Sequence, residues 1–433
     1  MNARFAPGGP LRGRLRVPAD KSISHRAAIV AAMARSPVRI ANYLNAADTG
    51  STLAAMRSLG ARVEALDGEL EVSGPGLRGA RGPAAPIDVG NAGTLMRLLP
   101  GWLSFQAGAT FVLDGDESIR RRPVDRIVAP LTLMGASLEA RDGRFPPLRV
   151  DGGELTGIAY ELPVASAQVK SCLLLAGLAT GGTEVIEPVP TRDHTERMLL
   201  AAGASLRRSP GKRGYRTTVA GGSAPELERI EVPGDLSSAA FLLAAAVLVP
   251  GSELVLEGVG VNWTRAGFLR ILKRMGARVR GELESEGGFG PAEPVSDLEV
   301  RGSALSGTAV AAEEVPLAID ELPLVALLGC FAEGETVVHG AGELRVKESD
   351  RIATVVAGLR GLGADIEPLP DGFGVRGTGG LRGGELDAQG DHRLALLGAV
   401  AGLASREGVE IHGFEAVEVS YPRFAEDVGG LLA

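Results

Sequence analysis

The chain has 433 residues, 45% of them hydrophobic and 23% charged, with a formal net charge of −8. That length exceeds one ordinary core and predicts two domains or a multi-unit fold, while the acidic balance argues against a nucleic-acid partner. No apolar run reaches membrane-spanning length and residues 1–10 hold no apolar signal core, so a cytoplasmic protein with no membrane partner is expected. Cys172 and Cys330 lie inside apolar runs and read as buried packing residues. The five histidines show no ligand spacing with one another or with cysteine, and no metal site is expected.

In chain order, an alternating strand over Leu11–Val17 leads through a turn at Asp20 into an apolar helix opened by Lys21, Ser22 and Arg26. Two cations in a first helical turn oppose the helix dipole, and an anionic ligand at that end explains them better than solvent does. The plan then recurs. Strand, polar turn, apolar helix, glycine turn and strand begin again near Gly90, Ser166, Asp235, Asp320 and Gly390, roughly 70 to 85 residues apart. Second helices end in a repeated phrase: Leu59-Gly60-Ala61, Met134-Gly135-Ala136, Ala202-Gly203-Ala204, Met275-Gly276-Ala277 and Leu362-Gly363-Ala364. The glycine fits a left-handed helix C-cap before the next strand. Each unit therefore reads β-α-β-α-β-β, six in all. The sixth stops at the chain end, and the strand over Leu11–Val17 is expected to complete it.

Each first helix opens with a different polar set: Lys21/Ser22/Arg26, Asn91/Thr94/Arg97, Ser166/Gln168/Lys170, Asp235/Ser237/Ser238, Asp320/Glu321 and Asp391/His392/Arg393. Second helices add Asp48, Arg122, Arg192 and the run from Arg345 to Arg351. Stacked repeats would gather Lys21, Arg26, Arg97, Arg122, Lys170, Arg192, Lys347, Arg351 and Arg393 with far fewer acids. Such a pocket in an acidic protein predicts a substrate bearing several phosphates or carboxylates. Asp320 and Glu348 among these cations are candidates for proton transfer. The plainer alternatives are a helix cap for Asp320 and an ion-pair partner of Lys347 or Arg351 for Glu348. Gly90-Asn91-Ala92-Gly93-Thr94 is a glycine-bearing turn into a helix but no P-loop, and no GxSxG, HExxH or strict GxGxxG unit occurs.

Eight segments, in this order and spacing, resemble the 5-enolpyruvylshikimate-3-phosphate synthase family from end to end. They are Asp20-Lys21-Ser22-Ile23-Ser24-His25-Arg26, Gly90-Asn91-Ala92-Gly93-Thr94, Arg122-Pro123, Ser166-Ala167-Gln168-Val169-Lys170-Ser171, Thr191-Arg192-Asp193-His194-Thr195, Pro233-Gly234-Asp235, Val346-Lys347-Glu348-Ser349-Asp350-Arg351 and Asp391-His392-Arg393. The resemblance implies a two-lobed inverse α/β barrel with three repeats per lobe. One lobe would be 20–234 and the other 1–19 with 235–433, completed by the N-terminal strand. It implies transfer of the enolpyruvyl group from phosphoenolpyruvate to the 5-hydroxyl of shikimate 3-phosphate through a tetrahedral intermediate, with no metal or organic cofactor.

By the same resemblance Lys21, Ser22, Arg26, Ser166, Ala167, Gln168, Arg192, Asp320 and Lys347 would hold shikimate 3-phosphate. Lys21, Gly93, Arg122, Gln168, Arg351 and Arg393 would hold phosphoenolpyruvate. Asp320 and Glu348 would be the acid/base pair, with Lys21 sharing the proton traffic, and the protein would be a monomer with small-molecule substrates as its partners. One branch of the family has a lysine where this chain has Val419, ahead of Tyr421-Pro422. That branch difference and the small Gly93 point in opposite directions for glyphosate, whose effect stays open. The sister family acting on UDP-N-acetylglucosamine carries a Lys-Asn pair and a reactive loop cysteine, whereas here Ser22 follows Lys21 and both cysteines are in apolar runs. A non-catalytic module for phosphorylated ligands would lack Asp320, Glu348 or Lys21, and all three are present.

Overall fold

Each repeat builds one small mixed sheet backed by two helices. The structure, a computed structural model, describes residues 1–212, 214–222 and 224–432. The first helices of the six repeats are α1 (Lys21–Met33), α2 (Gly93–Leu103), α3 (Ala167–Gly177), α4 (Leu236–Leu248), α5 (Leu322–Phe331) and α6 (His392–Ala404). They are rich in Ala and Leu and apolar on all sides, which suits helices enclosed by sheets and other helices. In α1 every residue from Ile23 to Met33 is buried. Four of them start on a side-chain cap. Asp20, Ser166, Asp235 and Asp391 accept from the N–H of Ile23 (2.8 Å), Val169 (3.4 Å), Ser237 (2.8 Å) and Arg393 (2.9 Å). Each such cap is worth about 1 kcal/mol. The cations beside them are not needed for capping.

The second helices end as their glycines predict. Gly60, Gly135, Gly203, Gly276 and Gly363 all have positive φ. The N–H of Ala61, Ala136, Ala204, Ala277 and Ala364 then reaches back to the carbonyl of Met56, Leu131, Leu199, Leu272 and Leu359 at 2.9–3.0 Å. This is a Schellman closure, and any L-residue with a β-carbon would be strained at the glycine.

The chain divides into two units: Ala19–Val232 with Phe289–Glu293, and Met1–Pro18 with Pro233–Gly288 and Pro294–Ala433. Among the described residues each has three sheets and its own apolar core. Five sheets have four strands and share one order. In each, an edge strand pairs in parallel with the strand that follows the first helix, and the closing hairpin adds antiparallel beside that strand; in the α2, α3 and α5 sheets the edge strand comes from the same repeat, across a helical crossover. In the α2 repeat, for example, Ile87–Asp88, Thr110–Asp114, Phe145–Asp151 and Ser137–Arg141 lie in that order.

The ends of the chain depart from the expected arrangement. The strand Arg12–Arg16, from the stretch expected to complete the sixth repeat, instead pairs in parallel with Glu253–Gly260 in the α4 sheet. The sixth sheet, Gly384–Asp387 and Val409–His412, is completed by the earlier strand Asn2–Phe5, antiparallel to Val409–His412. Likewise Arg229–Glu231 precedes α4 in sequence but pairs with Val38–Ala41 in the α1 sheet. All three are short strands at sheet edges, whose partner is chosen by distant contacts and not by their own pattern.

Candidate active site

In the unit built on α1, α2 and α3, the helix starts carry the predicted residues and are tied to one another by them. Lys21 opens α1, and its ammonium donates to Asp48 Oδ2 at 2.9 Å. Arg26, one turn on, is buried and donates from Nε to Thr195 Oγ1 (2.8 Å), from Nη2 to Ser171 Oγ (3.0 Å) and from Nη1 to the carbonyl of Ser22 (2.9 Å). Burial, opposed by the charge of Glu196, brings its pKa down to about 10. It remains a cation at neutral pH. Ser166 caps α3, and Ala167 and Gln168 are its first residues, where backbone N–H groups lack helical partners. Gln168 donates from Nε2 to Thr94 Oγ1 (3.2 Å) and accepts from Arg97 Nη1 (3.3 Å), which joins the starts of α2 and α3.

Gly93 begins α2 beneath two guanidiniums. A β-carbon there would stand 2.8 Å from Arg122 Nη1 and 3.0 Å from Arg97 Nη1. Arg122 is buried and donates to Asn91 Oδ1 (3.0 Å) and Ser118 Oγ (3.2 Å). Arg192 sits on the segment between the strand Thr183–Ile186 and the helix His194–Ala201, near enough to Arg26 to oppose its charge. Lys21, Ser22, Arg26, Gly93, Arg122, Ser166, Ala167, Gln168 and Arg192 thus belong to one unit and one set of helix starts.

Lys170 does not join them. Its side chain is wholly buried, with Nζ 2.8 Å from Glu187 Oε1 and 2.6 Å from Glu196 Oε1. Burial alone would lower the pKa of the ammonium, but the two carboxylates outweigh it and raise that pKa. On a helix buried on every side, a lysine four residues into the first turns points into the core, and the cleft assignment is corrected accordingly.

In the other unit the centre is Asp320, on the turn between the short helix Val315–Ala318 and α5. Its Oδ1 accepts from Arg351 Nη1 at 3.3 Å and Lys347 Nζ at 3.4 Å, and its Oδ2 lies 3.7 Å from Arg265 Nη1 and 3.8 Å from Arg393 Nη2. It does not cap α5, because Glu321 holds the cap position and makes no capping bond. Arg351 opens the helix Arg351–Gly361 and also donates to Glu348 Oε2 at 2.6 Å. Burial disfavours its charge, but Asp391, Glu348 and Asp320 outweigh burial and push its pKa up. Arg393 donates to Ser237 Oγ (3.1 Å), and Ser237 in turn donates to Glu321.

The expectation of far fewer acids fails in this unit. The five acids Asp235, Asp320, Glu321, Glu348 and Asp391 outnumber the four cations Arg265, Lys347, Arg351 and Arg393, because buried guanidiniums are tolerated only when countered. Arg265 escaped the sequence reading altogether. Its Nη2 donates to Ser237 Oγ (2.6 Å) and Asp235 Oδ1 (3.1 Å). The signal was the repeat register: it occupies, just ahead of the helix Gly267–Arg274, the place that Arg122 and Arg192 hold in their repeats.

Both cysteines are buried packing residues, and burial pushes each thiol up to about 12, far from a reactive thiolate. Among the described residues no cluster of His, Cys, Asp and Glu is arranged to hold a metal, and no helix is long and apolar enough to cross a membrane.

Repeated α/β units with cation-bearing helix starts in one unit, and a carboxylate ringed by cations in the other, suit oligoanionic ligands. The comparisons with known proteins narrow this. Residues 5–428 match the family described as EPSP synthase (3-phosphoshikimate 1-carboxyvinyltransferase). Proteins named 3-phosphoshikimate 1-carboxyvinyltransferase from Alkalilimnicola ehrlichii and Thermus thermophilus are each 49% identical over 99% of this chain, and the matches cover 95% and 99% of those proteins. A solved EPSP synthase of Acinetobacter baumannii superposes with a TM-score of 0.86 at 42% identity, covering 99% of this chain and 98% of that one. The chain belongs to the EPSP synthase family.

Proposed function

We infer that this chain transfers the enolpyruvyl group of phosphoenolpyruvate to the 5-hydroxyl of shikimate 3-phosphate, the step of the shikimate pathway toward aromatic amino acids. The hydroxyl gives up its proton to a base as its oxygen bonds to C2 of phosphoenolpyruvate, and C3 gains a proton from an acid, giving a tetrahedral intermediate. C3 then loses a proton, the bond from C2 to the phosphate oxygen breaks, and inorganic phosphate leaves. Two anions must be brought together against their repulsion, and fixed cations do this without reorganising during the reaction.

Within this reading Lys21, Ser22, Arg26, Ser166, Ala167, Gln168, Arg192, Asp320 and Lys347 hold shikimate 3-phosphate. Lys21, Gly93, Arg122, Gln168, Arg351 and Arg393 hold phosphoenolpyruvate. Asp320 and Glu348 carry the proton transfers, with Lys21 sharing them. The observation that carries the assignment is Asp320, contacted by Lys347 and Arg351, with Glu348 on the same Arg351. The charge of −8 supports a protein without a nucleic-acid partner, and the reading includes a cytoplasmic monomer without a membrane partner. Sedimentation of the 44.6 kDa chain at twice that mass would overturn the monomer.

The test of the activity is phosphate release from phosphoenolpyruvate by the purified protein with shikimate 3-phosphate or UDP-N-acetylglucosamine as acceptor. Release with shikimate 3-phosphate alone is expected. Release with the nucleotide sugar alone, or with neither acceptor, overturns the reading.

A further inference from the structure

A buried charge cluster that the chemistry does not use, Lys170, Glu187 and Glu196, lies against Thr191, the residue just before Arg192. We propose that Glu187, seated by Lys170, is the positioning residue for Arg192 and thereby tunes affinity for the phosphorylated acceptor. This rests on the reading that Arg192 holds shikimate 3-phosphate.

Glu187 directly follows the strand Thr183–Ile186. One of its oxygens, Oε1, accepts from the backbone N–H of Thr191 (3.1 Å), from the Thr191 hydroxyl and from Lys170 Nζ (2.8 Å). Lys170 also reaches the Thr191 carbonyl at 3.5 Å and the Glu196 carboxylate at 2.6 Å. The residue just before Arg192 is therefore fastened at its N–H, its hydroxyl and its carbonyl. The residue just after it is fastened too: Asp193 is buried and accepts from Arg197 Nε (2.9 Å) and Arg208 Nη1 (2.8 Å).

Between these two buried anchors Arg192 alone is partly exposed. Pro188 and Pro190 restrict the same segment further. Stability alone does not explain three ionisable groups in a core, since an apolar trio of similar volume commonly serves as well or better. What the cluster supplies is a fixed backbone position. An arginine already gives up much rotamer freedom on binding, and a loose backbone beneath it would add to that cost.

The experiment compares Thr191→Val, Thr191→Ser, Glu187→Gln and Arg192→Met in the full chain, by steady-state kinetics in both substrates and by melting temperature. Arg192→Met is expected to raise KM for shikimate 3-phosphate at least about tenfold, the scale of one charge-assisted hydrogen bond. Thr191→Val and Glu187→Gln should raise the same KM about three- to tenfold, with kcat and KM for phosphoenolpyruvate changed less than about twofold. Thr191→Ser keeps the hydroxyl and should restore the parent value. Variants that melt earlier yet keep the parent KM, beside an impaired Arg192→Met, would make the cluster a matter of stability only and overturn the proposal. An Arg192→Met protein with unchanged KM would instead remove the underlying reading, and the proposal with it. Should Glu187→Gln fail to fold, the threonine pair still decides.

Discussion

Arg351 and Asp391 meet through two parallel hydrogen bonds, Nε to Oδ2 at 2.8 Å and Nη2 to Oδ1 at 3.1 Å, with both side chains essentially out of solvent. The same Asp391 Oδ1 caps α6 by accepting from the N–H of Arg393. One carboxylate thus sets the guanidinium of Arg351 and the first turn from which Arg393 projects.

Asp391→Asn keeps the shape and removes the charge, leaving Arg351 short of its main counterion. Breaking a buried pair on one side costs about 3 kcal/mol or more, so a clear loss in denaturant midpoint is expected. KM for phosphoenolpyruvate should rise as well, because both arginines assigned to that substrate lose their support. Steady-state kinetics at saturating shikimate 3-phosphate checks this. An unchanged KM in a destabilised protein would confine Asp391 to folding.

Asp320 stands among four cations, and its replacement by Asn removes a proton carrier without removing volume. Turnover should fall about 10²- to 10⁴-fold, the range of a lost general acid or base. Binding of shikimate 3-phosphate, measured by calorimetry without phosphoenolpyruvate, should change only a few fold, because the surrounding cations remain. Equal losses in binding and turnover would instead confine Asp320 to holding the substrate and remove its part in proton transfer.

Gly93 is needed because of what lies above it. A methyl group there would meet the tips of Arg122 and Arg97, which are flexible ends that can move aside, so the fold should survive. Gly93→Ala is therefore expected to leave the melting temperature within about 2 °C. Displacing Arg122 should raise KM for phosphoenolpyruvate about tenfold, while KM for shikimate 3-phosphate stays near the parent value. A uniform loss for both substrates would show that the helix start itself had shifted.

What the sequence made legible was local. The caps at Asp20, Ser166, Asp235 and Asp391 and the glycine closures after the second helices need only a few neighbouring residues, and repetition checked the cap three times more and the closure four times more. What it hid was decided at long range. Arg12–Arg16 has the pattern of an edge strand, and only the partner Glu253–Gly260 says which sheet it joins. Lys170 looked like a site cation because Ser166 and Gln168 precede it, but its direction depends on Glu187 and Glu196 across the core. Arg265 was overlooked for the converse reason: its neighbours Asn262, Trp263 and Thr264 carry no charge, and its partners Asp235, Ser237 and Asp320 are distant in sequence.

The first helix also predicts how acid destabilises the protein. His25 is buried one residue before Arg26, with Nδ1 2.6 Å from Thr52 Oγ1. Burial, and then the charges of Lys21 and Arg26, hold its pKa well below the ordinary 6.5. Between those two values the unfolded chain binds a proton there and the folded chain does not, so stability is fully present above pH 6.5 and is lost as pH falls toward the folded value. One such group gives a slope of at most about 1.4 kcal/mol per pH unit. His25→Gln cannot titrate and lacks this contribution. Melting temperatures of parent and variant, taken from pH 7.5 to 5.5, should therefore converge toward the acid side, by about 2 °C or more relative to their separation at pH 7.5. Parallel curves would mean that His25 takes up its proton in the folded chain as readily as in the unfolded one.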